Sequence, residues 1–206
     1  MTDTASPRPY HHGDLKTALL AEAENILEKE GIQALTLRAA ARAAGVSHAA
    51  PKNHFDDLTG LLSELAATGF ARFGKALAAA MAEAGDDPRQ RIRAMGLGYV
   101  GFAKAHPGLF ALMFRSEMLD GQRPALRDGI SAARQSLADA VRARSPEKPL
   151  SPLQAAAQAA ALWSLVHGFA LLLLDGRLAG ILRSLPDGET ADTLLEAVLS
   201  AIHVGD

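Results

Sequence analysis

No cysteine occurs in the chain, which excludes a disulfide framework and any thiolate metal site. Aromatic residues are scarce, with one tryptophan and two tyrosines, and β-branched residues are sparse beside alanine and leucine. Strands draw on aromatic and β-branched side chains, whereas alanine and leucine lose little entropy in a helical turn. The deficit therefore points to helices. An excess of either charge is lacking too: the formal net charge is −2, so the chain as a whole does not look like a nucleic-acid binder. No apolar run follows a basic leader at the N-terminus, so no secretory signal is expected and the cytoplasm is the expected location.

Charge is also missing locally. From Pro149 to Leu174 there is no Asp, Glu, Lys or Arg, a length that could span a membrane. Much of the stretch is alanine, and Gln154, Gln158, Ser164 and His167 interrupt it. The expectation is a helix buried on nearly all sides, by its own domain and a partner chain, with no membrane partner.

The chain is long enough, at 206 residues, to bury a substantial core. Leu15, Leu19, Ala23, Ile26 and Leu27 share one face of a helix expected over about Asp14–Glu30, which Gly31 is suited to close. Thr36 can cap a short second helix through about Ala44, and Ser47 a third that ends near Phe55. A long fourth helix is expected from about Leu58 to Glu83. Asp87-Pro88 opens a fifth, ending at His106-Pro107, and a sixth runs from Gly108 to about Met118. Further helices are expected over Pro124–Ala143, from Ser151-Pro152 to Gly176, and over about Thr190–His203. These make nine helices and an all-α fold. The boundary at the fourth helix gives domains 1–57 and 58–206.

Between Gly31 and Phe55 no acidic residue appears, while Arg38, Arg42 and Lys52 stand there with His48 and His54. Such a window lets a phosphate backbone approach. Small Ala40, Ala41 and Ala44 permit close packing, Gly45 a sharp turn, and Val46 an anchor, which is the helix-turn-helix arrangement. The third helix then presents His48, Ala49, Lys52 and Asn53 to a major groove, where Lys suits guanine and Asn adenine, and Ser47 at its start is counted among the DNA-contacting residues. Thr36 and Arg38 are placed for phosphates. His54 can meet a phosphate or pack beside Phe55. Arg8, in the leader, can reach a groove or stay solvated. His11 and His12 point about 100° apart on a helix, so they suit a polar pair at a helix start better than a metal site.

Two segments carry a family resemblance. The run from Gly31 through Leu62, with "ALTLR", "AGVS" and a His-Phe pair before Leu-Leu, resembles the signature of TetR-family transcription regulators. The leader "PYHHGDLKTALLAEA" is similar to the start of one branch of that family. "LWSLVHGFALLLLDGRL" (Leu162 to Leu178) resembles a TetR-like ligand domain marked by Trp, His and Gly. The resemblance implies a homodimer formed largely by the last two long helices, with a ligand pocket above each DNA-binding unit. It also implies a palindromic double-stranded operator and a small-molecule effector, most simply as a repressor. Two residues depart from the family pattern: Lys52 where a tyrosine is usual, and Leu58 where a lysine is common.

Trp163 and His167 share a helix face four residues apart. They suit either a buried aromatic over a core histidine or a pocket wall with a polar handle. Tyr99, Phe102, Phe110, Met113 and Phe114 suit core or pocket, and as a group they favour a flat or hydrophobic ligand over a sugar phosphate. No Glu-x-x-His pair, phosphate-binding glycine loop or nucleophile motif is present. No catalytic residue, metal or cofactor is therefore expected. The competing possibility is a ligand-binding or interaction protein on the same fold with weakened DNA binding.

Overall fold

Short polar side chains set the helix starts. Thr36 Oγ1 accepts the Ala39 amide at 3.0 Å and Asp57 Oδ1 the Gly60 amide at 2.8 Å. Asp87 caps through Arg89 N, while Ser151 and Gln154 form a reciprocal capping box. In the computed structural model, residues 12–143 and 150–201 are described. Among them ten α-helices form: α1 (His12–Glu30), α2 (Leu37–Ala43), α3 (Lys52–Phe55), α4 (Leu58–Glu83), α5 (Pro88–Ala105), α6 (Pro107–Met113), α7 (Pro124–Ala143), α8 (Pro152–Leu174), α9 (Ala179–Arg183) and α10 (Ala191–Ala201). Two 3₁₀ turns, Ile32–Ala34 and Ser116–Met118, link some of them, and no strand appears among the described residues. The chain is all-α, as expected.

The differences from expectation are local. Helix α9 is too short for periodicity to register. The sixth helix stops at Met113, and the remainder is the 3₁₀ turn at Ser116–Met118. Gly31 takes the anticipated positive φ of 82°, but its ψ of 173° turns the chain outward rather than continuing a left-handed cap. Ser47 does not cap α3; its carbonyl accepts Ala50 N in an i→i+3 turn. The cause is Pro51, which has no N–H to donate back to Ser47, so residues 47–51 close as i→i+3 turns instead. Regular α-helix therefore begins only at Lys52.

The core runs through both halves. Leu19, Leu27, Leu35 and Phe55 at one end join Leu61, Leu65, Phe70 and Phe73 of α4, then Tyr99, Val100, Leu109 and Phe110. Helix α4 is the spine, packed on α5, α6 and α7. The uncharged α8 is long and apolar enough to cross a membrane by length and composition. It buries one face, through Leu162, Val166, Phe169 and Ala170. Its own domain leaves Leu153, Trp163, Leu171, Leu172 and Leu174 exposed, the side of the helix that the expectation left to a partner chain.

Candidate nucleic-acid interface and apolar chamber

Helix α2 ends in a motif that its sequence dictates. Gly45 N donates to Arg42 O at 3.2 Å and Val46 N to Ala41 O at 3.0 Å, with Gly45 at φ 67°. This double closure needs a left-handed residue, which glycine adopts without a Cβ penalty. The turn lays α3 beyond α2, with Pro51 and Phe55 buried as its inner face. On the outer side Thr36, Arg38, Ser47, His48, Ala49, Lys52 and Asn53 are all exposed. His54 is half-buried beside Phe55, with ring centroids 6.1 Å apart. His11 and Arg8 lie outside the described residues. Leu58, at the start of α4, is half-buried and packs against the core, so that position contributes apolar packing rather than a charge.

Beside the Lys16–Glu64 pair at 2.9 Å, two larger polar joints tie this end to the rest of the molecule. At one, the Glu28 carboxylate of α1 accepts the Gly108 amide at 2.8 Å and the Leu109 amide at 2.9 Å, at the start of α6. The approach is close: a Cβ on Gly108 would lie 2.9 Å from Leu27 O. Beside it, Arg72 Nη1 donates to both oxygens of Glu24 at 2.6 and 2.7 Å. Arg72 Nη2 stands 3.2 and 3.1 Å from the two ring nitrogens of His106. Glu24, Glu28 and His106 bring ligand atoms within 4.8 Å of one another, but the Arg72 guanidinium already supplies the positive charge there. At the second joint, Arg123 Nη2 donates to Phe55 O at 3.3 Å and to Asp56 Oδ2 at 3.0 Å. It thereby holds the chain where Asp56 takes a strained φ of 65°. Buried Ser63 of α4 braces the loop that leads to Arg123, donating to Thr59 O and accepting Asp120 N.

Between α4, α5, α7 and α8 lies a cavity of about 400 Å³. Its walls are Phe70, Phe73 and Leu77 of α4, Met95 and Tyr99 of α5, Met113 and Phe114, Ile130 and Leu137 of α7, and Leu162, Trp163 and Val166 of α8. Phe73 meets Tyr99 edge-on at 5.0 Å between ring centroids, a favourable aromatic arrangement. One polar relay is set in this wall. Trp163 Nε1 donates to the Tyr99 oxygen at 3.3 Å, and that hydroxyl stands 2.9 Å from His167 Nδ1. Burial lowers the His167 imidazole below its ordinary pKa, so the neutral ring is favoured. A neutral ring accepts the phenol proton at Nδ1 and keeps its own hydrogen on Nε2. Burial also raises the Tyr99 phenol, which the Trp163 hydrogen bond only partly offsets.

Of the aromatic and methionine candidates, Tyr99, Met113, Phe114 and Trp163 line the cavity. Phe102 and Phe110 sit in the core behind it, 6% and 0% exposed. His167 stands behind the wall, in ring contact with Phe110, Phe114 and Tyr99. Sequence reasoning missed Phe70, Phe73 and Arg134 of the lining, and Glu28 and Arg123 at the joints. Their partners lie far off in sequence, so no local signal marks them.

Residues 92–201 match the family model described as the tetracyclin repressor-like C-terminal domain. The chain belongs to the TetR family. It therefore has the fold of a transcription regulator, joined to that family's C-terminal domain. A protein of unknown function from Rhodococcus sp. RHA1 is similar at 37% identity, covering 94% of this chain and 96% of its own, with a TM-score of 0.79. The TetR-family transcriptional regulator PfmR from Thermus thermophilus shares the fold at 19% identity and a TM-score of 0.62, covering 88% and 94%. The multidrug binding protein EbrR, complexed with imidazole, does so at 20% identity and 0.56, covering 90% and 92%. No curated protein sequence matches this TetR-family chain.

Proposed function

We propose that this protein is a cytoplasmic, dimeric repressor that leaves its operator when a small, largely hydrophobic ligand enters the chamber. Residues 1–57 are the DNA-binding part and 58–206 the ligand and dimerisation part. His48, Ala49, Lys52 and Asn53 contact bases, while Thr36, Arg38, Ser47 and His54 contact phosphates. Tyr99, Met113, Phe114 and Trp163 contact ligand directly, with Phe102, Phe110 and His167 supporting them. Trp163, His167 and Gly168 make the ligand domain one of the Trp-His-Gly type. The exposed leucines of α8 are the seat of the second subunit, since such a patch is costly to leave in water.

One observation carries the proposal: an exposed, acid-free helix-turn-helix face is joined through polar contacts to an aromatic cavity of about 400 Å³. That volume lies in the range of small-molecule pockets, about 300–1,000 Å³. A ligand that fits one spacing of the two DNA-reading units better than the other then shifts the population toward it.

The test is DNA selection with the purified protein, followed by binding measured at several salt concentrations. The native protein is expected to pick a palindrome with half-sites about 34–36 Å apart and to weaken as salt rises. Arg38→Ala with Lys52→Ala should abolish detectable binding at physiological salt while the fold persists. Failure of the native chain to select any sequence would refute the proposal in favour of a ligand-binding protein that has lost DNA recognition.

A further inference from the structure

Among the described residues, the chamber's lining holds one charged side chain, and it is a cation. Arg134 of α7 lines the cavity and is also solvent-exposed, which places it at the mouth. No carboxylate stands among the described lining residues. On its own helix the positions three and four residues away are Ser131, Leu137, Ile130 and Ala138, none of them acidic. Its neighbours by contrast are paired: Arg123 meets Asp56, and Arg142 meets Asp139. Arg134 makes no ion pair or hydrogen bond with any described residue.

The chamber therefore has two unlike ends. The interior is mostly apolar, closed by Phe70, Phe73 and Phe114; its neutral polar groups are Ser116 and the Trp163–Tyr99 pair, which is relayed to His167 behind the wall. That relay is nearly saturated, because the Tyr99 oxygen already accepts one hydrogen bond and its proton faces His167. It leaves little capacity to receive a charged head. The guanidinium at the mouth has all of its donors to offer, in a planar fork that matches a carboxylate or phosphate. An anion drawn to the mouth avoids the large desolvation cost of a charge in the interior. A cation there meets like charge and no acceptor of opposite sign.

We propose that the effector is an amphipathic anion, with its apolar body in the aromatic chamber and its carboxylate or phosphate head on Arg134. This rests on the chamber being the ligand site, as proposed above. The single tryptophan of the chain lies in the chamber wall and reports occupancy by its own fluorescence.

The test titrates the full-length protein with decanoate, decyl phosphate, decanol and decyltrimethylammonium, reading Trp163 emission and thermal midpoint in parallel. Decanoate or decyl phosphate is expected to bind about tenfold more tightly than decanol, with the ammonium weakest. The order of the two anions identifies the head group. In Arg134→Gln, an exposed position where folding is not at risk, the anion advantage should vanish while decanol binding stays unchanged. Equal binding of all four head groups, or an anion advantage that survives Arg134→Gln, overturns the proposal but leaves the chamber as a ligand site. Neither emission nor midpoint responding to any probe overturns the chamber reading itself.

Discussion

Two joints between the helix-turn-helix end and the rest of the molecule are built from opposite charges. At Glu28, a carboxylate of the helix-turn-helix end receives two amides at the start of α6, where the helix dipole is positive. At Arg123, a guanidinium of the larger part grips the last carbonyl of α3, where the dipole is negative. Each charge suits the helix end it meets. They differ in completeness: Glu28 uses both oxygens, whereas Arg123 Nε is buried without a hydrogen bond and only 3.7 Å from Asp120. The lesson is that one joint is settled and the other is held in tension, beside the residue whose backbone is strained.

The largest expected effect comes from crowding the second joint. A Cβ on Gly60 would lie 1.8 Å from Phe55 O, so Gly60→Ala must move the corner between α3 and α4. Alanine ordinarily gains about 1 kcal/mol over glycine within a helix; here a loss of about 3 kcal/mol is expected instead. Thermal denaturation checks the sign, and a stabilised variant would contradict the packing described.

Removing each charge in turn sharpens the contrast. Glu28→Ala orphans two helix-start amides and should cost about 2 kcal/mol in urea denaturation, with little specific effect on DNA affinity. Arg123→Ala also removes an unsatisfied buried donor and should cost less, about 1 kcal/mol. It should, however, weaken DNA binding several-fold by freeing α3. If the two variants lose stability and DNA affinity in the same proportion, the joints do not differ in the way described.

The smallest effect is a pH dependence in the chamber. Because the folded state lowers the His167 pKa, the unfolded chain binds more protons as pH falls through the ordinary imidazole value near 6.5. Its contribution to stability is therefore complete above that pH and declines below it. Comparing His167→Gln with the native chain by thermal melts across pH 5–8 isolates this contribution. The native chain should lose more stability on acidification than the variant does.

The two regions were also unequally legible. Thr36, Gly45, Asp87 and Ser151 act on backbone groups two to four residues away, so spacing alone located the helices they bound. The exposed side chains of the helix-turn-helix followed from that local geometry, except where Pro51 shortened α3 behind Ser47. The chamber draws on residues from Phe70 to Leu199, and periodicity says which face is apolar but not which helices meet. Phe102 and Phe110 have the same character as Tyr99 and Phe114, yet they fall on the far side of the wall. Arg134 looks like any surface arginine until α7 is docked. For α8, the absence of charge was visible while its distribution between core and surface was not, because one chain's sequence does not say how much of an apolar helix that chain itself can cover.

Helix α4 runs without a break for 26 residues, from the Asp57 cap beside the helix-turn-helix past the chamber wall at Phe73 and Leu77. At 1.5 Å per residue it is a rod of roughly 39 Å, so a tilt of about 5° carries one end about 3 Å relative to the other. Such a rod converts angle into distance by leverage alone. A few tenths of an ångström gained or lost between rings in the chamber needs no unfolding, and no new contact elsewhere, to be felt at the Asp57 cap.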